Sequence, residues 1–151
     1  MAVIHDSTTP PLEHTYDATD SRVWTNVICR RAVTQRTGYV IVPGPDGWEV
    51  PATDPTLTAS GEKFRVGFPD QDYASGEVAR VQIGGIARDV TPPKTIVATT
   101  ATNQALGFTS NALAAKQAND RSAFGLDLDA PQAATVLTRN LMLYPRLVAT
   151  S

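Results

Sequence analysis

The chain has one cysteine, Cys29, and two histidines, His5 and His14, in 151 residues. A single thiol excludes an internal disulfide and any zinc site built from several cysteines. It fits folding in a reducing compartment, and burial as a small hydrophobe is its expected role. Both histidines lie in a proline-containing lead that lacks the ordered surroundings a general base needs. No serine sits at a strand-to-helix elbow, so no nucleophilic triad is expected. Charge is also scarce: 13 basic and 15 acidic residues give a net −2. Apart from Arg30–Arg31 the basic residues stand alone, and no nucleic-acid partner is expected. No apolar run approaches a membrane span, so no membrane partner is expected. The first residues show no basic start followed by an apolar run, so no secretory leader is expected and synthesis in a cytoplasm is.

Thr, Ala and Val take the place of charged helix formers, a mixture that leans towards strands and loops. The length suits one ordinary domain. A compact chain of this size buries roughly 70% of the surface its unfolded form exposes, enough for a core without staples.

Three zones follow one another. Residues 1–36 carry Pro10–Pro11 and no helical stripe, so "TTPPLEH" should be extended and cannot enter a central strand. The zone still holds Ile4, Leu12, Tyr16, Val23, Trp24, Val27 and Ile28, more apolar side chains than a disordered tail carries. It reads as an extended arm docking on another chain, with a loop wrapping its own domain and a mobile tail as the alternatives. Leu12, Tyr16, Val23 and Trp24 are its expected anchors, because such side chains dominate interfaces.

In residues 37–91, "GYVIVPGPDGWEVP" gives an apolar run at Tyr39–Val42, a Gly/Pro turn, and Trp48 and Val50 two apart. "KFRVGFP" alternates with Phe64, Val66 and Phe68 on one face. "VARVQIGGIARDV" places Ala79, Val81 and Ile83 against Arg80 and Gln82. Gly84–Gly85 there allows a two-residue hairpin, with Ile83 facing Ile86 and Arg80 facing Asp89. A glycine bulge within one continuous strand is the competing geometry.

Residues 92–151 open on a second proline pair. "SNALAAKQAND" fits a short helix capped by Ser110 or two strands around a turn. "SAFGLDLDA" alternates Phe124, Leu126 and Leu128 against Gly125, Asp127 and Asp129. "TVLTRNLMLYP" reads as a long final strand with a bulge at Arg139–Asn140. Asp70, Asp72 and Glu77 lie close together but lack a calcium-loop sequence, and a solvated turn is expected. Asp127 and Asp129 should occupy an exposed strand face. Gly84–Gly85 opens no helix and makes no phosphate cradle. No catalytic, cofactor-binding or metal-binding residue is assigned, no cofactor is expected, and no enzyme is expected.

The order of features from "GYVIV" to "LYPR" resembles the capsid decoration (cement, head-stabilising) proteins of tailed bacteriophages. The resemblance rests on "ASGEVARVQIGGIARDV", a polar turn, an alternating strand, a glycine and a return strand, and on "NALAAKQANDRSAFGLDLDA" followed by "TVLTRNLMLYP". It covers about two thirds of the chain. It implies an all-β fold, a small β-barrel or β-tulip with little or no helix, here spanning residues 37–151 behind an arm of residues 1–36. It also implies a homotrimer on the capsid exterior of a virion, clamping the major capsid protein against the pressure of packaged DNA. "NALAAKQ" is then a strand. The alternative is a small-ligand or glycan-binding β-domain using "PGPDGWE" and "PDQDYASGE", with Trp48 and Tyr73 as stacking groups. A trimeric β-barrel enzyme of nucleotide metabolism lacks a credible acid–base set.

Overall fold

The computed structural model describes residues 15–17, 19–55, 63–94, 98–101, 103–109, 112–115, 123–133, 135–136, 138–144 and 148–149. These form an all-β fold with one 3-10 turn at Thr19–Ser21 and no α-helix among the described residues. The strands are β1 (Thr15–Asp17), β2 (Arg22–Cys29), β3 (Tyr39–Gly44), β4 (Gly47–Val50), β5 (Lys63–Pro69) and β6 (Val78–Val90). They continue as β7 (Gln104–Thr109), β8 (Ala112–Ala115), β9 (Ala123–Asp127), β10 (Arg139–Leu143) and β11 (Val148–Ala149).

Five strands close on themselves. The order β2-β4-β3-β5-β6 returns to β2 through a six-residue antiparallel ladder, from Val23↔Gly84 to Ile28↔Val78. Closure removes the open edges of this part of the sheet. The interior is filled by alternate residues of β2 (Val27, Cys29) and β6 (Ala79, Val81, Ile83), which a two-residue period sends to one face, together with Val33, Ile41 of β3 and Val50 of β4. β3 and β4 join as the Gly/Pro turn requires, with Val42↔Glu49 and Gly44↔Gly47 flanking Pro45–Asp46.

A second sheet grows from the far half of β6, in the order β6-β10-β9-β7-β8. Its core contains Phe64, Val66 and Phe68 of β5, Val40 of β3, Ala87 and Val90 of β6, and Leu106, Phe108, Phe124, Leu141 and Leu143. Phe108 meets Phe64 edge-on at 5.1 Å and stacks on Phe124 at 5.6 Å. Such pairs add about 0.5–1.5 kcal/mol beyond the area they bury. β3 thus serves two cores, with Ile41 inside the barrel and Val40 beside the β5 residues Phe64, Val66 and Phe68 against the second sheet.

The double glycine decides how one strand serves both cores. β6 runs unbroken through Gly84–Gly85, so the expected hairpin, with Ile83 facing Ile86 and Arg80 facing Asp89, does not form. The bulge is the geometry adopted: the β2–β6 register shifts between Val23 and Trp24. Gly85 has φ +79°, and a Cβ there would collide with the carbonyl oxygens of Asp20 and Ser21. Before the bulge β6 feeds the barrel core, and after it Ala87 and Val90 feed the second.

Part of the segment read as the lead, residues 1–36, contributes to the barrel. Arg22–Cys29 is a stave of the barrel and Val33 lies in its core, because the β2 residues Val23, Val27 and Cys29 alternate inward like those of any barrel strand. Residues 1–14 lie outside the described residues. The Ala112–Ala115 segment is a strand paired to β7, and the helix alternative fails. Arg139–Leu143 bears the expected irregularity after Arg139, although β11 follows it.

Candidate functional site

The outward faces of the barrel staves converge on a cleft of about 480 Å³, within the size range of ligand sites. Its lining includes Arg22 and Trp24 of β2, Arg80, Gln82, Arg88 and Asp89 of β6, Asp70 just beyond β5, and Arg36 of the β2–β3 connection. The placement follows from strand register. Trp24 pairs with Gln82 and Asn26 with Arg80, so Arg80 is a diagonal neighbour of Trp24 on one face. Its guanidinium sits 4.3 Å from the centre of the indole ring. That contact is worth about 0.5–1 kcal/mol at an exposed position.

The cleft holds four of the 13 basic residues of a chain whose net charge is −2. Asp20 bridges two of the four. Arg88 grips it with two bonds of 3.0 Å, and Arg22 lies 3.4 Å away. The hydrogen bonds from Arg88 hold the Asp20 carboxyl below its ordinary pKa, followed by the attraction of both guanidiniums, with partial burial opposing. Arg80 reaches Asp70 only at 3.7 Å. Arg36 makes no ion pair among the described residues. Trp24 is 7% exposed, and its indole N–H has no acceptor among the described residues.

Backbone strain gathers at the same place. Among the described residues five non-glycine residues have left-handed φ, and Asp20, Ser21, Arg36 and Asp89 are four of them. Arg36, at φ +57°, is pinned by its N–H to the Pro69 carbonyl and by its carbonyl to the Thr91 N–H. The preceding Gln35 is tied to Asp72 and to the Asp70 carbonyl. Strain of about 1–3 kcal/mol per residue persists only where the surroundings over-determine it.

No family model matches the chain, and no curated protein matches it. Among solved structures, the chain is similar to the head fiber gp8.5 N base of bacteriophage phi29. The identity is 11%, the match covers 82% of this chain and 95% of that one, and the TM-score is 0.47. A likeness at this level decides nothing about what this chain does.

The residues singled out from sequence fall in several places. Leu12, His5 and His14 lie outside the described residues. Tyr16 is on β1, opposite Val23. Val23 packs against the barrel core and Trp24 lies buried beneath Arg80. Both belong to β2. The loop carboxylates are engaged within the molecule: Asp70 accepts from the Tyr73 hydroxyl, Asp72 from the Gln35 N–H and Glu77 from the Ala74 N–H. Trp48 packs against the barrel core with the Arg65 guanidinium 5.2 Å from its ring. Burial and the bond to Asp70 raise the Tyr73 pKa. Among the described residues no three His, Cys, Asp or Glu side chains group as metal ligands. Cys29 is fully buried, and desolvation raises its pKa.

Asp127 departs furthest from expectation. It is 0% exposed and takes a 2.6 Å bond from the equally buried Arg139, while Asp129 accepts two bonds from Asn140. The two acids are therefore not an exposed pair: Asp127 is buried and Asp129 half-buried, and both are held by hydrogen bonds within the molecule. The arginine cleft was not anticipated. Its only trace in the sequence was the outward phase of Arg80 and Gln82, since the register joining β2 to β6 is a long-range property.

Proposed function

We propose that the chain is a virion structural protein, a capsid decoration protein that binds the outer surface of a phage head as a homotrimer and clamps neighbouring major capsid protein subunits. The observation that carries this reading is the second sheet. Ala112–Ala115, Ala123–Asp127 and Arg139–Leu143 are strands of one sheet, the arrangement that the resemblance to decoration proteins implies for "NALAAKQ" and the segments after it. The loops proposed for glycan stacking support the alternative poorly, since Trp48 and Tyr73 are each held by contacts within the chain.

Clamping needs only surfaces. A chain bound across several subunits adds interface present in the assembled shell alone, and so stabilises that shell by linkage. Three linked copies turn modest contacts into strong attachment, because later contacts form within one complex. The Pro-rich lead has few conformations to lose on docking. Its test is a deletion of residues 1–14, which stops short of the β1–β2 pairing and of Asp20. The shortened chain should melt within a few degrees of the full chain and bind heads weakly. Undiminished binding would remove the lead from the account.

A further inference from the structure

We infer that the arginine-lined cleft on the outer barrel wall is the receptor for an acidic segment of a partner protein, which on the decoration reading above is a subunit of the shell. Three independent observations converge on it. Arg22, Arg36, Arg80 and Arg88 line one cleft against the carboxylates of Asp70 and Asp89, in a chain that is acidic overall. Arg36 has no carboxylate partner among the described residues, and Arg80 has one only at 3.7 Å. The backbone at Arg36 is held left-handed by its own two hydrogen bonds, to the Pro69 carbonyl and from the Thr91 N–H, while the adjacent Gln35 is tied to Asp72 and Asp70.

The chemistry selects the ligand class. A guanidinium is a planar fork that matches a carboxylate and stays charged at every working pH. Arg88 spends its Nε and one Nη on Asp20, which fixes its plane. Arg80 is braced on the Trp24 ring. These two are pre-oriented, so little side-chain entropy is lost when a carboxylate arrives. Arg36, exposed and in no ion pair among the described residues, supplies a charge that is not directly paired. The cleft accommodates one or two acidic side chains, and its openness to the outer wall suits a segment that lies across it.

The test uses the full chain and a fluorescein-labelled hexaglutamate peptide, read by anisotropy at low salt, with inorganic phosphate in a parallel titration. The wild-type chain should bind the peptide saturably. Arg36→Ala and Arg80→Ala should each weaken it by about tenfold or more, with unchanged melting temperature for Arg36→Ala. Arg30→Ala, whose guanidinium pairs with Glu49 and Asp46 outside the cleft, should leave binding within about twofold. No binding by the wild-type chain, equal loss in all three variants, or saturable phosphate binding without peptide binding would each overturn the inference. Co-sedimentation with heads separates the two claims. If Arg36→Ala sediments as well as wild type, the cleft is not the attachment point and decoration survives. If the wild-type chain binds peptide but no head, the cleft stands and decoration falls.

Discussion

Arg139 and Asp127 meet with neither side chain exposed, the Arg139 Nη1 donating to the Asp127 Oδ2 at 2.6 Å. The other Asp127 oxygen accepts from the Asp129 N–H, and a second Arg139 nitrogen donates to the Ala133 carbonyl. The pair therefore ties β9, β10 and the loop between them into one unit.

Breaking this pair from one side leaves a buried charge without its partner, at a cost of about 3–5 kcal/mol. Asp127→Asn and Arg139→Met should each lose about that much in urea unfolding. The Asp127→Leu, Arg139→Met double variant should recover a good part of it, because two apolar groups leave no orphan charge. Additive losses in the double variant would contradict a coupled pair.

Gly85 and Gly76 both have left-handed φ, but their surroundings differ. A Cβ at Gly76 meets nothing within 4 Å, while one at Gly85 strikes two carbonyl oxygens. Gly76→Ala should cost about 1–2 kcal/mol, the left-handed penalty alone. Gly85→Ala should cost clearly more and disturb the passage of β6 between the two cores. Equal losses in thermal melts would show that the bulge is not the hinge of the fold.

Cys29 is buried and its thiol is held protonated by desolvation. Reaction with a disulfide reagent then requires opening of the barrel. The native thiol should react at least about a hundredfold more slowly than the unfolded one, given ordinary domain stability. Rapid stoichiometric labelling of the folded protein would contradict the barrel interior described.

Asp20 has a depressed pKa in the folded chain, chiefly through its hydrogen bonds from Arg88. A group with a depressed folded pKa contributes stability that is present above its unfolded pKa and lost as pH falls through the folded value. Its share should therefore be constant near neutrality and disappear below the ordinary aspartate range. Asp20→Asn should flatten the acid limb of the stability profile, and an unchanged limb would show that the Arg88 grip contributes nothing.

Local periodicity made much of this legible. The alternations at Phe64–Phe68 and Ala79–Ile83, the turn before Trp48 and the irregularity at Arg139 are short-range properties, and each appears where the sequence places it. The passage of β6 through Gly84–Gly85 was open to two geometries. A glycine pair permits both a hairpin and a bulge, and the Asp20–Ser21 backbone lying against Gly85 selects the bulge. Arg22–Cys29 was harder to read from sequence, since the upstream prolines point to an extended lead although Val23, Val27 and Cys29 alternate as a stave must. Asp127 was misjudged because its partner Arg139 lies twelve residues away, across a loop. The cleft depended on pairing between β2 and β6, which nothing local specifies.

The most direct measurement is the mass of the chain in solution, followed by its co-sedimentation with expanded and unexpanded phage heads. The account predicts a trimer that binds the expanded shell in saturable, threefold-related copy number and raises the temperature at which that shell ruptures. A strict monomer that stays in the supernatant with both kinds of head would contradict it.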